Sequence, residues 1–309
     1  MWWLDAVADG FRYPYASIQI CAFRVVLATA MLVKFAYEHH RGAWRYFAPD
    51  SYVYFRFRRE HPGLPIDQRW YRVLYGAKLV AAGCLLVGVL PRVAAVVAAL
   101  WFFFELCYDR KFHTAYLGLC ALFLAASPVL GDALTYHTVV AVLRDPPREV
   151  LWEEAGRTGE DAFAQVLLVL LTVQMYLSSA YRKLRSAHFM TGGALHDFTA
   201  SLHADRHAQR YRDTWYPPVM VRTLIDVPVT VARKRWRWAA VATVVVELLL
   251  PVTLLVPGTY LASVVVGALM HAAFTAVLPV RLIPFSVATV GSYLLFADPA
   301  NVLASLAAR

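Results

Sequence analysis

Eight ionisable residues lie in or beside long apolar runs: Arg24, Lys34, Lys78, Glu105, His113, Lys183, Glu247 and His271. A charge inside a hydrocarbon environment is costly, so such a residue marks a functional site or is paired structurally. Glu105 and Glu247 are the natural counter-ions for the buried cations. Arg24, Lys78, Glu105, Glu247 and His271 are therefore candidates for holding a cofactor. Helix-locking ion pairs are the competing explanation, and both stay open at this stage. Lys34 is expected to snorkel to the interface. Lys183 closes the run Ala162–Tyr181. At the mouth of an apolar cavity the charged ammonium is disfavoured, and a neutral amine is a usable base. Against that stands a surface lysine beside Arg182 and Arg185.

A second group is rich in histidine. His188, His196, His203 and His207 share one segment with Asp197 and Asp205. His203 and His207 are four residues apart, so a helix would put both on one face, as a metal site requires. No H-E-x-x-H and no repeated histidine box accompanies them, so a solvated interfacial helix is the expectation and no metal is expected. His39-His40 is read as an interfacial pair. There is no phosphate-cradling glycine loop and no G-x-S-x-G, and Gly192-Gly193 is read as a helix break. The four cysteines, Cys21, Cys84, Cys107 and Cys120, form no C-x-x-C and are read as small apolar residues.

The composition says what must position these groups. Of 309 residues, 60% are hydrophobic and 17% charged, and mean hydropathy is +0.50. A soluble domain is about half apolar and a quarter charged. Disorder, collagen and disulfide scaffolds are excluded, and a soluble nucleic-acid binder is disfavoured despite a net charge of +9. The basic excess suits lipid headgroups. Strand-like alternation is absent, so a β-barrel is disfavoured.

A membrane helix needs about 20 mostly apolar residues. The expected spans are 17–37, 73–90, 92–108, 113–131, 162–181, 239–256, 259–278 and 281–297. The fold class is thus an all-α, polytopic integral membrane protein with about eight transmembrane helices in one bundle. The second and third spans form a tight hairpin at Pro91-Arg92. Pro279 divides the last pair, and Pro284 is expected to kink the last span. One domain over 1–309 is expected, with extramembrane loops at 38–72, 132–161 and 182–238 and no separate soluble domain. The middle loop is acidic, with Asp145, Glu149, Glu153, Glu154, Glu160 and Asp161. Met1–Gly10 does not read as a secretory signal, and Trp2, Trp3 and Phe11 read as interfacial anchors. With eight spans, one face carries 21 of the 30 Lys and Arg residues and the other six. That bias places the basic face in the cytoplasm and both termini outside. The segment Arg233-Lys234-Arg235-Trp236-Arg237-Trp238 is the strongest local signal.

Several segments together resemble one family. Gln174-Met175-Tyr176-Leu177-Ser178-Ser179-Ala180-Tyr181-Arg182-Lys183-Leu184, followed by Phe189 and Gly192-Gly193-Ala194-Leu195, is similar to the region around the catalytic lysine of vitamin K-dependent γ-carboxylases. It resembles still more the bacterial horizontally transferred transmembrane (HTTM) proteins. Their pattern is a small residue, two variable positions, Lys-Leu, then Trp and Gly-x-Ala. Ala180 replaces the usual glycine and Phe189 the tryptophan. Phe23-Arg24-Val25-Val26 and Tyr46-Phe47-Ala48-Pro49-Asp50 look like the first span and its loop. Phe112-His113-Thr114-Ala115-Tyr116-Leu117 is similar to an Asn-His-x-Tyr-Leu segment that carries a functional histidine, with Phe112 in place of asparagine. Met270-His271, Pro284-Phe285-Ser286 and Leu295-Phe296 look like the closing spans.

The resemblance covers about residues 17–297, and it implies chemistry. Lys183 would deprotonate a reduced quinone, a menaquinol or vitamin K hydroquinone. Oxygen would add, a quinone epoxide would form, and a strongly basic intermediate would remove an unactivated proton from a peptide or small substrate. Carbon dioxide then adds in the carboxylases. His113 would orient or stabilise the anion. The implied partners are the lipid bilayer, quinone and a peptide or secreted-protein substrate, without nucleic acid. The implied location is the bacterial cytoplasmic membrane. In animal members of the family the basic-loop side faces the lumen, opposite to the charge count. The carboxylases bind their peptide with a large extramembrane domain for which these residues leave no room. Smaller relatives without it include proteins needed to mature secreted bacterial toxins. Two other functions remain open: a non-catalytic membrane partner that binds quinone, lipid or peptide in maturation or export, and a histidine-metal membrane oxidase.

Overall fold

The computed structural model describes residues 17–64, 66–144, 163–209, 216, 218–278 and 282–296. The helices are α1 (Ser17–His40), α2 (Tyr52–Glu60), α3 (Gln68–Val87), α4 (Pro91–Leu106), α5 (Phe112–Ala125), α6 (Tyr136–Arg144), α7 (Phe163–Leu184), α8 (Ala187–Met190), α9 (Gly193–Gln209), α10 (Val229–Thr253), α11 (Tyr260–Val277) and α12 (Ile283–Ser292). Among the described residues there is no strand. Met1–Gly10, Trp2, Trp3, Phe11, Pro279 and the acidic residues from Asp145 to Asp161 lie outside the described residues.

Local chemistry sets the helix ends. The Asp67 carboxylate accepts from the Trp70 amide at 2.9 Å and starts α3. Gly88 ends it at φ +73°, where a side chain would be strained. Pro91 is the first residue of α4, where its missing N–H costs nothing. The hairpin turn is therefore Gly88–Leu90, slightly earlier than the spacing suggests. Pro284 falls in the first turn of α12 and starts that helix instead of kinking it. Ser51 and Ser186 cap α2 and α8.

The helices occupy the eight expected apolar runs, but not all at membrane length. Five are long and apolar enough to cross a membrane: α1, α3, α7, α10 and α11. This is the make-up of a helical, multi-pass membrane protein. The other three are shorter, α4 with 16 residues, α5 with 14 and α12 with 10 before a 3-10 turn at Tyr293–Phe296. At about 1.5 Å per residue even α4 reaches only about 24 Å, against about 30 Å of hydrocarbon. The expected loops also contain structure. The loop at 38–72 holds α2, 132–161 holds α6, and 182–238 holds α8, α9 and the first turns of α10.

The chain divides into two compact units, residues 1–171 with 287–309, and residues 172–286. In the first, α4 packs on α5 and α3, and α3 packs on α1. Phe47, Phe57, Tyr71, Phe104 and Tyr108 join in an aromatic cluster, with Phe47 and Tyr71 stacked at 4.4 Å. In the second, α8, α9 and α11 pack on α10. Gly192 lies against the backbone of Arg233–Arg237, where a Cβ would collide.

Arg24 is fully buried in the first unit. Its guanidinium donates to Leu85 O at 3.2 Å, Ala133 O at 3.1 Å and Leu134 O. It ties the end of α3 to the loop before α6. A Cβ on Gly88 would strike this guanidinium and Thr135. Arg24→Met withdraws a donor from three carbonyls, at about 1–3 kcal/mol for each buried group left unsatisfied. Both Arg24→Met and Gly88→Ala are expected to lower the thermal unfolding temperature in detergent. The double variant is expected to fall short of the sum, because removing Arg24 removes half the collision at Gly88.

Candidate functional site

Two charge clusters form, one in each unit. In the first unit, Lys34 donates to Glu38 and, at 2.6 Å, to Glu105 Oε1. Lys78 donates to Glu38 Oε2 at 2.8 Å. Two lysines and two glutamates thus make a neutral set. Glu105 accepts further from Trp101 Nε1 at 3.3 Å and Thr114 Oγ1 at 3.4 Å. The Lys78 amine sits over three rings, Tyr75 at 3.8 Å and Phe35 and Trp101 at 4.3 Å. Such contacts favour a desolvated cation. The set binds α1, α3 and α4 together. Lys34 turns inward and is buried instead of snorkelling, because two carboxylates face it.

In the second unit, Lys183 at the end of α7 donates to Glu247 Oε1 on α10. Ser179 Oγ donates to the same oxygen at 3.1 Å. Glu247 Oε2 is buried and has no hydrogen-bond partner among the described residues. The Lys183 side chain keeps 22% of its surface open, against 3% for Glu247. Its amine lies 5.3 Å from the Phe274 ring and 5.6 Å from the Phe189 ring. On α11, His271 shares a 2.8 Å hydrogen bond through Nε2 with the Tyr176 hydroxyl, and its buried Nδ1 has no partner among the described residues. Glu247 lies ten residues past Arg237, about 15 Å along the helix, well inside the apolar part of α10.

The structure thus brings Lys183 and Glu247 together, and puts His271 in the same unit. Lys78 and Glu105 join in the other unit, and Arg24 is engaged by backbone carbonyls. His113 stands in the first turn of α5, also in the first unit. Glu38 is the partner that the sequence reasoning missed, having placed the end of the first span at residue 37. Its spacing four residues after Lys34 was the available signal. Tyr176 and Ser179 were missed too, since neither carries charge.

The histidine-rich segment is organised around Asp197. This carboxylate meets His196 at 2.8 Å, His188 at 3.3 Å and Arg233 at 3.5 Å. The hydrogen bond with His196, helped by Arg233, holds Asp197 below the ordinary carboxylate range. His203 lies against the Tyr216 ring, with centroids 6.4 Å apart, and the His207 side chain lies outside the described residues. Among the described residues no three His, Cys, Asp or Glu groups converge as metal ligands. All four cysteines are free, with Cys21 and Cys120 buried.

No family profile, curated protein or solved structure matches the chain.

The first-unit cluster generates a stability prediction. Glu105→Ala leaves two buried lysines on one carboxylate, and breaking a buried ion pair costs about 3–5 kcal/mol. Lys34→Met with Glu105→Met keeps the remaining Lys78–Glu38 pair neutral. Thermal unfolding in nanodiscs is expected to show the single variant well below the double variant.

Proposed function

We propose that this chain is an HTTM-like, membrane-embedded enzyme related to the membrane region of vitamin K-dependent γ-carboxylases. Its eight apolar helical segments would lie in a bacterial cytoplasmic membrane. The observation that carries the reading is the pair formed by Lys183, partly open, and Glu247, deeply buried with one oxygen unpartnered. A lysine amine is a base only when it is neutral. The base role requires the ammonium proton to pass to Glu247, and the existing hydrogen bond is the path for it. Ser179 then continues to hold the carboxyl group in place. The amine is left with a free electron pair between the Phe189 and Phe274 rings. A flat, apolar ring with an ionisable hydroxyl fits that setting. A quinol, when bound, would supply the acidic hydroxyl and the reducing electrons, with oxygen as oxidant and carbon dioxide as a possible further substrate. With a ring-shaped substrate bound, the Phe189 and Phe274 rings beside the amine would help keep out water, which would otherwise quench a strong base. His113 is proposed as the second functional residue, to orient or stabilise an anion.

The test uses purified protein in nanodiscs with chemically reduced menaquinone under oxygen, and mass spectrometry of the quinone. Wild type is expected to yield the epoxide. Lys183→Ala is expected to lose about 100-fold or more, the scale of a general base. Lys183→Arg keeps a cation against Glu247 but cannot become neutral, so it is expected to fold and be equally inactive. Full activity in Lys183→Arg would remove the base role. No epoxide from wild type would favour the partner reading, with the Lys183–Glu247 pair locking helices during peptide maturation or export.

A further inference from the structure

The first turns of α10 carry a surface that neither charge cluster uses. Ala232, Trp236 and Ala240 are buried four residues apart and form the packed stripe. Around them Arg233, Lys234, Arg235, Arg237 and Trp238 are exposed. Arg233 and Arg237 are also four apart, a like-charge spacing that opposes the helix. The acidic compensation is thin. Asp197 reaches Arg233 at 3.5 Å, and Arg235 is turned onto the Thr223 carbonyl. Neither Lys234 nor Arg237 has an ion pair among the described residues. The first turn of α10 contains no acidic residue.

The position of this surface selects its ligand. α10 has 25 residues. At about 1.5 Å each it measures about 37 Å, longer than the roughly 30 Å hydrocarbon layer. The charged end is Arg233–Arg237, which precedes the apolar run that begins at Ala239. Trp238 is 73% exposed, one turn past Lys234, and an exposed tryptophan at that level is an interfacial anchor. Cations above an indole, at the end of a membrane helix, meet phosphodiester groups.

We propose that Lys234 and Arg237, with Trp238 beneath them, form a binding site for the headgroup of an anionic phospholipid. Lys234 and Arg237 are three residues apart and share one face, so both can reach one phosphate. Arg237 supplies a planar fork of donors and Lys234 a compact charge. Trp238 lies against the glycerol and upper acyl region. The site does not depend on the proposed enzymatic activity.

The test is native mass spectrometry of the full chain released from micelles with phosphatidylglycerol or phosphatidylcholine, each alone and with excess inorganic phosphate. Wild type is expected to retain phosphatidylglycerol in preference to phosphatidylcholine, and to keep it in inorganic phosphate. Lys234→Gln with Arg237→Gln is expected to bind phosphatidylglycerol at least tenfold more weakly, since each basic residue near an anionic surface contributes measurably. Arg58→Gln with Arg59→Gln on α2 removes the same charge elsewhere and is expected to bind like wild type. Unfolding in phosphatidylcholine alone is expected to be unchanged by either pair, which separates lost binding from lost folding. Equal retention of the two lipids by wild type, displacement by inorganic phosphate, undiminished binding in the α10 variant, or an equal loss in the α2 variant would each overturn the site.

Discussion

An uncompensated charge cannot stay inside an apolar helical bundle, and this constraint organises the protein. Transfer of an ion out of water costs far more than any single contact returns. Each cation set among the apolar helices here has a specific partner, and each partner fixes a helix contact. Arg24 uses carbonyl groups at a helix end and a loop. Lys34 and Lys78 share Glu38 and Glu105. Lys183 has Glu247. α1 is held to α3 and α4 in the first unit, and α7 to α10 in the second.

The two carboxylate clusters differ in how complete they are. In the first unit every carboxylate oxygen of Glu38 and Glu105 accepts at least one hydrogen bond, and aromatic faces enclose the Lys78 amine. In the second unit one oxygen of Glu247 and one nitrogen of His271 have no partner among the described residues, and the Lys183 amine stays partly open. A structural lock gains by satisfying all of its groups. A site that must take up and release a proton needs spare capacity. The asymmetry is the physical reason for proposing a function at Lys183 and a structural lock at Lys78.

Much of this was legible in the sequence, because the strongest signals were energetic. Long apolar runs read as helices, and the rare charges within them read as sites or pairs. Glu105 and Glu247 were identifiable as counter-ions from charge balance alone. Which cation each would meet was not legible, since that depends on how helices distant in sequence pack. Lys34 was misjudged for the same reason: a lysine near a span end snorkels unless acids face it. Helix lengths were also hidden. Hydropathy averages across α4, α5 and the turns beside them, so short helices and connecting turns look like one span. The basic run before the sixth span read as loop because of its charge. Exposed charges on one side and Ala232, Trp236 and Ala240 on the other are compatible with helix, and the helix therefore starts ten residues earlier.

That early start matters for the candidate site. A helix of 25 residues is longer than the apolar layer, so hydrophobic burial alone does not fix how deeply it sits. Sliding by one turn changes the depth of Glu247 by about 5 Å. In an apolar medium such a shift alters the cost of charge at the Lys183–Glu247 pair. Something outside the apolar stretch must set the register. In the headgroup site proposed above, the exposed cations and Trp238 at the head of α10 would do this, because charges are costly in hydrocarbon and an indole prefers the interface. Gly192 reinforces it by seating the connection between α8 and α9 on the same turns. On that proposal the basic end of α10 and the acidic residue ten positions below it act together: the interface would set the height of a helix on which Glu247 is buried and paired with Lys183.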